Sequence, residues 1–236
     1  MTAINVIKNR IYTPIGTQFA CFDTETTGLG RKGVILQLAI GFFDTNGKLI
    51  DFECKIWKLP PEIEISNAAY NVHKIDRNKI DCEGVEPIKE IITFQNICKE
   101  LKDYNCPIVA HNAKFDYKML EQTAKLYEVS FDLKENDFFC TMENSKYHLN
   151  LKNKRGGLKN PTNTELYTYF TNTEPKGKLH DALEDLKITG VSYWNGLIKG
   201  WWNLQQKKNK NNIDYFFRSK SVDKLITDLR IENNNT

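Results

Sequence analysis

The run from Val34 to Phe43 constrains the fold of this chain more than any other segment. It is apolar apart from Gln37 and Gly41, and Asp44-Thr45-Asn46-Gly47 follows at once. The run reads as a strand, and the four residues after it supply turn chemistry. The Asn-Gly pair favours the positive backbone angles of a tight hairpin. Beyond it Ile50, Phe52, Cys54 and Ile56 alternate with Asp51, Glu53 and Lys55, the period of two expected of a half-buried strand. Upstream, Phe19 to Phe22 is a short apolar run that reads as a buried strand ending at Asp23. The pattern therefore predicts three consecutive strands, the last two forming an antiparallel hairpin.

Pro60-Pro61 ends that unit, and residues 62–104 turn mostly helical. Ile91, Phe94, Cys98 and Leu101 have the spacing of an amphipathic helix lying on a sheet. Pro107 to Ala110 reads as a short central strand, followed by a helix with Phe115, Met119, Leu120 and Leu126 on its buried side. Residues 144–163, rich in Lys, Asn and Gly, read as a surface loop, and Thr164 to Phe170 as a short helix. A last core helix starts near Asp181, a natural N-cap, with Glu184 placed to complete a capping box. Leu183, Leu186, Trp194 and Leu197 share its apolar face, and Gly190 leaves room between them for another element to approach. Gln205 to Asn212 reads as a polar linker before an amphipathic piece containing Tyr215, Phe216, Leu225 and Leu229. Strands alternating with helices after a meander imply an α/β sheet with helices on its faces. The division expected is a domain over 1–198 and a basic linker with a helical tail over 199–236.

Composition narrows the class without naming it. The chain has 236 residues, 40% of them hydrophobic and 11% aromatic, enough for a substantial core. No apolar run approaches the roughly 20 residues that span a bilayer, and the start lacks the pattern of a secretory signal. A soluble, cytoplasmic protein without membrane contact is expected. None of the six cysteines forms a C-x-x-C pair, which argues against a structural zinc site and for a reducing compartment. A net charge of +3 excludes little, because a nucleic-acid enzyme can confine its basic residues to one groove.

Four acids stand where packing does not ask for them. Asp23 and Glu25 are two residues apart at a strand end, so alternation sets both side chains on one side. A buried acidic pair needs a counter-charge, and two hard carboxylates suit Mg²⁺ or Mn²⁺. Asp116 and Asp185 lie in first helical turns, where complementing the helix dipole, worth roughly 0.3–1 kcal/mol, is explanation enough for either alone. His180 stands just before the last helix, near Asp185 in sequence, and histidine exchanges protons near neutral pH.

Taken together, Phe22-Asp23-Thr24-Glu25-Thr26-Thr27-Gly28, His111-Asn112-Ala113-Lys114-Phe115-Asp116 and His180-Asp181-Ala182-Leu183-Glu184-Asp185 resemble the three motifs of the DnaQ-like DEDDh 3′→5′ exonucleases, in order. That family includes polymerase proofreading subunits and RNase T-like, RNA-trimming enzymes. The resemblance covers residues 17–198. It implies an RNase H-like mixed central sheet, an antiparallel meander followed by parallel strands with helices on both faces. It also implies that Asp23, Glu25, Asp116 and Asp185 bind two Mg²⁺ or Mn²⁺ ions, with Asp23 between them, and that His180 is the general base. Two such ions, roughly 3.5–4 Å apart, activate water and stabilise both the attacking and the leaving oxygen. Thr26 and Thr27 match positions that contact the terminal nucleotide, Asn112 matches a residue lining the site, and Leu29 is a candidate wedge beside the terminal base. The product expected is a nucleoside 5′-monophosphate. The partner expected is a single-stranded or frayed 3′ end, DNA ahead of RNA, with a polymerase or other replication or repair protein as a further expectation. A non-catalytic nucleic-acid-binding module is the reading of a different class, and intact acids argue against it. One departure is Gln37, where many relatives carry Glu.

His73 and His148 fall outside the motifs and read as structural or surface residues. Two basic groups remain. Lys152, Lys154, Arg155 and Lys159 precede the third motif, while Lys199, Lys207, Lys208 and Lys210 follow the last helix beside Trp201 and Trp202. Basic charge near aromatics can hold phosphates and stack bases. For the second group, tryptophans packed on the core are the better expectation.

Overall fold

The computed structural model of the chain describes residues 13–177 and 180–202. Its sheet has five strands in the order β3-β2-β1-β4-β5. The first three are β1 (Phe19–Thr26), β2 (Ile35–Phe43) and β3 (Leu49–Ile56), joined as an antiparallel meander. β4 (Ile108–Ala110) pairs in parallel with β1, and β5 (Phe138–Cys140) in parallel with β4. This is the mixed α/β sheet expected.

Alternation along β1 sorts the core into two layers. Ala20 and Phe22 face α3 (Pro87–Asp103) and α4 (Ala113–Leu126), where Phe22 packs its ring 5.2 Å from Phe94 and 5.0 Å from Phe138. Phe19 and Cys21 face α7 (Ala182–Ile198), beside Leu186 and Tyr193. β2, covered from both sides, is buried at every position, which is why its sequence is a continuous apolar run. Gly190 of α7 is small for a reason: a Cβ there would collide with the ring of Phe43 on β2. A third apolar group, around Leu36 and Ile56, takes in Ile75, just after α1 (Asn67–His73), and Ile80 of α2 (Arg77–Glu83).

Several expectations are corrected. β1 does not stop at Asp23 but runs on to Thr26, so both Asp23 and Glu25 lie within it. The Asn-Gly pair does not form a two-residue turn. Asp44 pairs with Lys48 across a three-residue loop, its carboxylate accepts from the N–H groups of Asn46 and Lys48, and Gly47 alone takes a positive φ of 71°. β3 is not half-buried along its length. It is an edge strand, and Ile50 and Phe52 lie beyond the covering helices, 38% and 46% exposed. The segment read as a loop from 144 begins as helix α5 (Thr141–Leu149), anchored by the buried Thr141 and Ser145. Asp181 caps α7 as expected, accepting from the N–H of Leu183, but Glu184 pairs with Lys187 instead of closing a capping box.

The remaining helix is α6 (Asn163–Thr171), close to the one expected. All six cysteines are free. Trp202 packs on the core, 7% exposed, and its indole N–H donates to the Tyr193 carbonyl at 3.0 Å. The linker and amphipathic piece expected beyond residue 202 lie outside the described residues. No helix among the described residues is long and apolar enough to cross a membrane.

Candidate active site

Because β1 and β4 run parallel, their C-terminal ends open at the same edge of the sheet, where α/β proteins gather ligand-binding groups. A cleft of about 380 Å³ lies there. It brings together Asp23, Glu25, Asn112, Asp116, His180 and Asp185, six of the residues singled out from the sequence and drawn from three distant segments.

The acids arrive from both layers. Asp23 and Glu25 continue the β1 face that packs on α7, which itself carries Asp185 in its first turn. One carboxylate oxygen from each of these three lies within 4.8 Å of the others. Asp116 comes from the other layer, on α4. Thr24, which points to that side between the two acids, donates its hydroxyl to Asp116 Oδ1 at 2.7 Å. The carbonyl of Asn112 accepts from the N–H groups of Phe115 and Asp116, so the N-cap of α4 fixes where Asp116 stands.

Burial raises all four carboxyls, and repulsion from the other acids adds to it at Asp23 and Glu25. Asp23 is held well above the usual carboxylate range by burial, then by Asp116, Asp185, Glu25 and Asp181. Glu25 is pushed up to about 8 by burial, then by Asp185, Asp181 and Asp116. Burial raises Asp116 to about 7 against the downward pull of Thr24. Asp185 is raised by burial, opposed by nearby His180. Among the described residues no lysine or arginine forms an ion pair with any of the four. Buried acids without a cation destabilise the fold around them, and an all-oxygen donor set drawn this close fits a hard divalent cation. The residues present therefore fit a divalent metal.

His180 is exposed at the rim, with a left-handed backbone (φ 62°), and its N–H donates to Asp185 Oδ2 at 3.0 Å. That bond ties the segment carrying the imidazole to the acid of α7. Gln37 pairs across the sheet with Glu25, and its side-chain oxygen accepts the N–H of Ala182, the first residue of α7. A glutamate at that place would add another negative charge beside Glu25, so the amide suits this cluster.

Three residues expected at the substrate do not line the cleft. Thr26 and Thr27 are buried, the first donating to the Gly28 carbonyl and the second accepting from the Val34 N–H. Their hydroxyls close the loop between β1 and β2. Leu29 stands on that loop, 87% exposed.

Other groups brace the site or stand apart from it. His73, buried as a structural residue should be, accepts the Ile75 N–H at Nδ1, so Nε2 carries the proton it donates to the Thr26 carbonyl. His111 donates from Nε2 to the Pro161 carbonyl and meets the Thr141 hydroxyl at Nδ1, pinning the loop before α6 to the cleft. Asn163 reaches from α6 to the Asp185 carbonyl and the Thr189 hydroxyl, both at 3.0 Å. Thr24 sits inside the first motif and was readable there, whereas nothing in the sequence marks Asn163. His148 stacks on Trp201, with ring centroids 4.4 Å apart, and does not line the cleft.

The sequence profile of the RNase_T family, described as exonuclease, matches residues 20–190 and so spans all three motifs. The chain belongs to this exonuclease family. Asp23, Glu25, Asp116, Asp185 and His180, the residues that the resemblance singled out, all lie within the span matched by this RNase_T-family profile. No curated protein matches its sequence. Among solved structures it is similar to a 3′-exonuclease that recognises the 3′ end of a histone mRNA stem-loop (TM-score 0.63, 11% identity, 82% of this chain and 68% of that one). It is also similar to E. coli exonuclease I in complex with a dA16 oligonucleotide (0.60, 15%, 77% and 41%). A third is cell-death related nuclease 4 (0.59, 14%, 80% and 66%). At these identities the likeness is one of fold, and the RNase_T-family chain spans well under half the length of exonuclease I.

Proposed function

We propose that this exonuclease removes nucleoside 5′-monophosphates from single-stranded or frayed 3′ ends, DNA first, with two Mg²⁺ or Mn²⁺ ions held by Asp23, Glu25, Asp116 and Asp185. The observation that carries the reading is the meeting of four acids from β1, α4 and α7 in one cleft, with no lysine or arginine paired to them among the described residues. Bound there, the ions would neutralise charge developing on the attacking and leaving oxygens of an in-line displacement. Asp23, repelled by Asp116, Asp185 and Glu25 alike, would be the most central of the four acids holding the metal. His180 takes the proton of the attacking water, an imidazole at the rim being free to turn toward it. Thr24 and Asn163 hold Asp116 and the first turn of α7 in register. Thr26 and Thr27 stand outside the cleft and close the loop that carries Leu29, Leu29 abuts the terminal base, and exposed Asn112 lines the cleft.

RNA is the second reading, supported by the neighbour that recognises histone mRNA, as the dA16 complex supports DNA. The polymerase partner rests on the sequence resemblance alone. The deciding assay follows matched 5′-labelled DNA and RNA oligonucleotides with Mg²⁺, with Mn²⁺ and with chelator. Stepwise shortening from the 3′ end that needs the metal is expected, and Asp23→Ala or Asp185→Ala is expected to abolish it while the circular dichroism stays native. Full hydrolysis in chelator, or in both variants, refutes the reading.

A further inference from the structure

We propose that the hairpin over residues 151–159 is a guide for the sugar–phosphate backbone of the strand upstream of the cleaved nucleotide, a role that rests on the nucleic-acid reading above. The segment was expected to be a plain loop, but it is built. The Lys159 N–H donates to the Leu151 carbonyl and the Asn153 N–H to the Gly157 carbonyl, both at 2.8 Å, and Lys152 bridges to Leu158. The Asn153 side chain accepts from the N–H groups of Arg155 and Gly157, and Gly156 supplies the positive φ of 79° that the turn needs.

The charge on this hairpin is uncompensated. No Asp or Glu occurs between Glu143 and Glu165. Lys159 is taken by Glu165, but Lys152, Lys154 and Arg155 are exposed, and none pairs with an acid among the described residues. A net charge of +3 cannot draw a polyanion toward four clustered acids, because fields are screened within about 8 Å at physiological salt. Cations must instead touch the strand where it leaves the cleft.

The hairpin leads directly into the wall of the cleft. Its C-terminal arm runs into Pro161, pinned by His111, and then into Thr162, Asn163 and Thr164, which line the cleft. Five residues lie between Arg155 and Pro161, and the six backbone steps limit its reach to about 20 Å. That range takes in phosphates a few nucleotides upstream and leaves the cleaved one to the acids. Residues 151–159 contain no aromatic ring, so the hairpin reads backbone charge rather than bases.

The test combines Lys152→Ala, Lys154→Ala and Arg155→Ala in the full chain, with unchanged thermal unfolding as the control on folding. Binding of a long fluorescent oligothymidylate is followed by anisotropy in Ca²⁺ over a range of salt. Three lost phosphate contacts should lower the log–log salt slope by about 2 and weaken binding up to about 100-fold at 0.1 M salt. In Mg²⁺, the preference in kcat/KM for the long strand over a dinucleotide should fall by a similar factor. An unchanged slope and unchanged long-strand affinity overturn the guide. A wild-type chain that binds the strand without cleaving it refutes the nuclease reading, while the slope still decides the guide. A chain that binds no strand refutes both.

Discussion

Replacing Glu25 by glutamine should stabilise the metal-free protein while removing its activity. Glu25 is 9% exposed and surrounded by Asp185, Asp181 and Asp116. Its carboxyl moves from 4.5 to about 8 on folding. The folded state thus holds a proton that the unfolded chain has already released between those values, and stability falls as pH rises through that window. The contribution is fully present below pH 4.5 and gone above about 8. At about 1.4 kcal/mol per pH unit, ionised Glu25 costs the folded state on the order of 3–5 kcal/mol in alkaline, metal-free buffer. Glutamine keeps the shape and never ionises. Even if half the gain is lost to imperfect pairing of the amide, Tm should rise by roughly 3–10 °C near pH 9 and hardly change near pH 5. Thermal unfolding with chelator at both pH values measures it. Mg²⁺ should then raise the wild-type Tm near pH 9 more than that of Glu25→Gln, because the ion relieves the same repulsion. A Tm difference that is the same at both pH values, or a variant less stable than wild type near pH 9, refutes the electrostatic account.

Three further outcomes are expected. His180→Ala should slow single-turnover hydrolysis by about 10²–10⁴-fold with little change in strand binding, the usual worth of a general base; an unaltered rate removes His180 from the chemistry. Asn163→Ala, which frees α6 from the Asp185 carbonyl, should raise the Mg²⁺ concentration needed for half-maximal activity and should shift Tm down by a few degrees, with about 1 kcal/mol lost for a buried hydrogen bond; unchanged metal dependence refutes its positioning role. Gly190→Ala should lower stability by about 1–3 kcal/mol in denaturant titration, because the methyl group meets the Phe43 ring.

What could be read from the sequence was whatever depends on neighbouring residues. The apolar run of β2 required a strand covered on both faces, and the period of two in Asp23-Thr24-Glu25 put both carboxylates on one side wherever the strand ended. The apolar spacing of α3 and the Asp181 cap of α7 followed from the same local chemistry. Where local chemistry had to compete with packing, the reading failed. Ile50 and Phe52 have the alternation of a buried face, yet β3 is the sheet edge, and how far the helices reach is not written in its own residues. Residues 144–149 look like loop by composition, but Thr141 and Ser145 find a buried place that holds them in α5.

The sequence by itself determined which side chains can do this chemistry: hard carboxylates and one imidazole, in three segments whose order marks the family. Only the tertiary structure decided that they meet. The parallel pairing of β1 with β4 sets two strand ends side by side, so that α4 and α7, on opposite faces, deliver their acids to one edge. Repulsion among those acids, and hence the pull on a cation, depends on distances across the sheet rather than along the chain. For the same reason Thr24, Asn163 and the Lys152–Arg155 hairpin acquire their roles from the elements they come to touch, which no local pattern encodes.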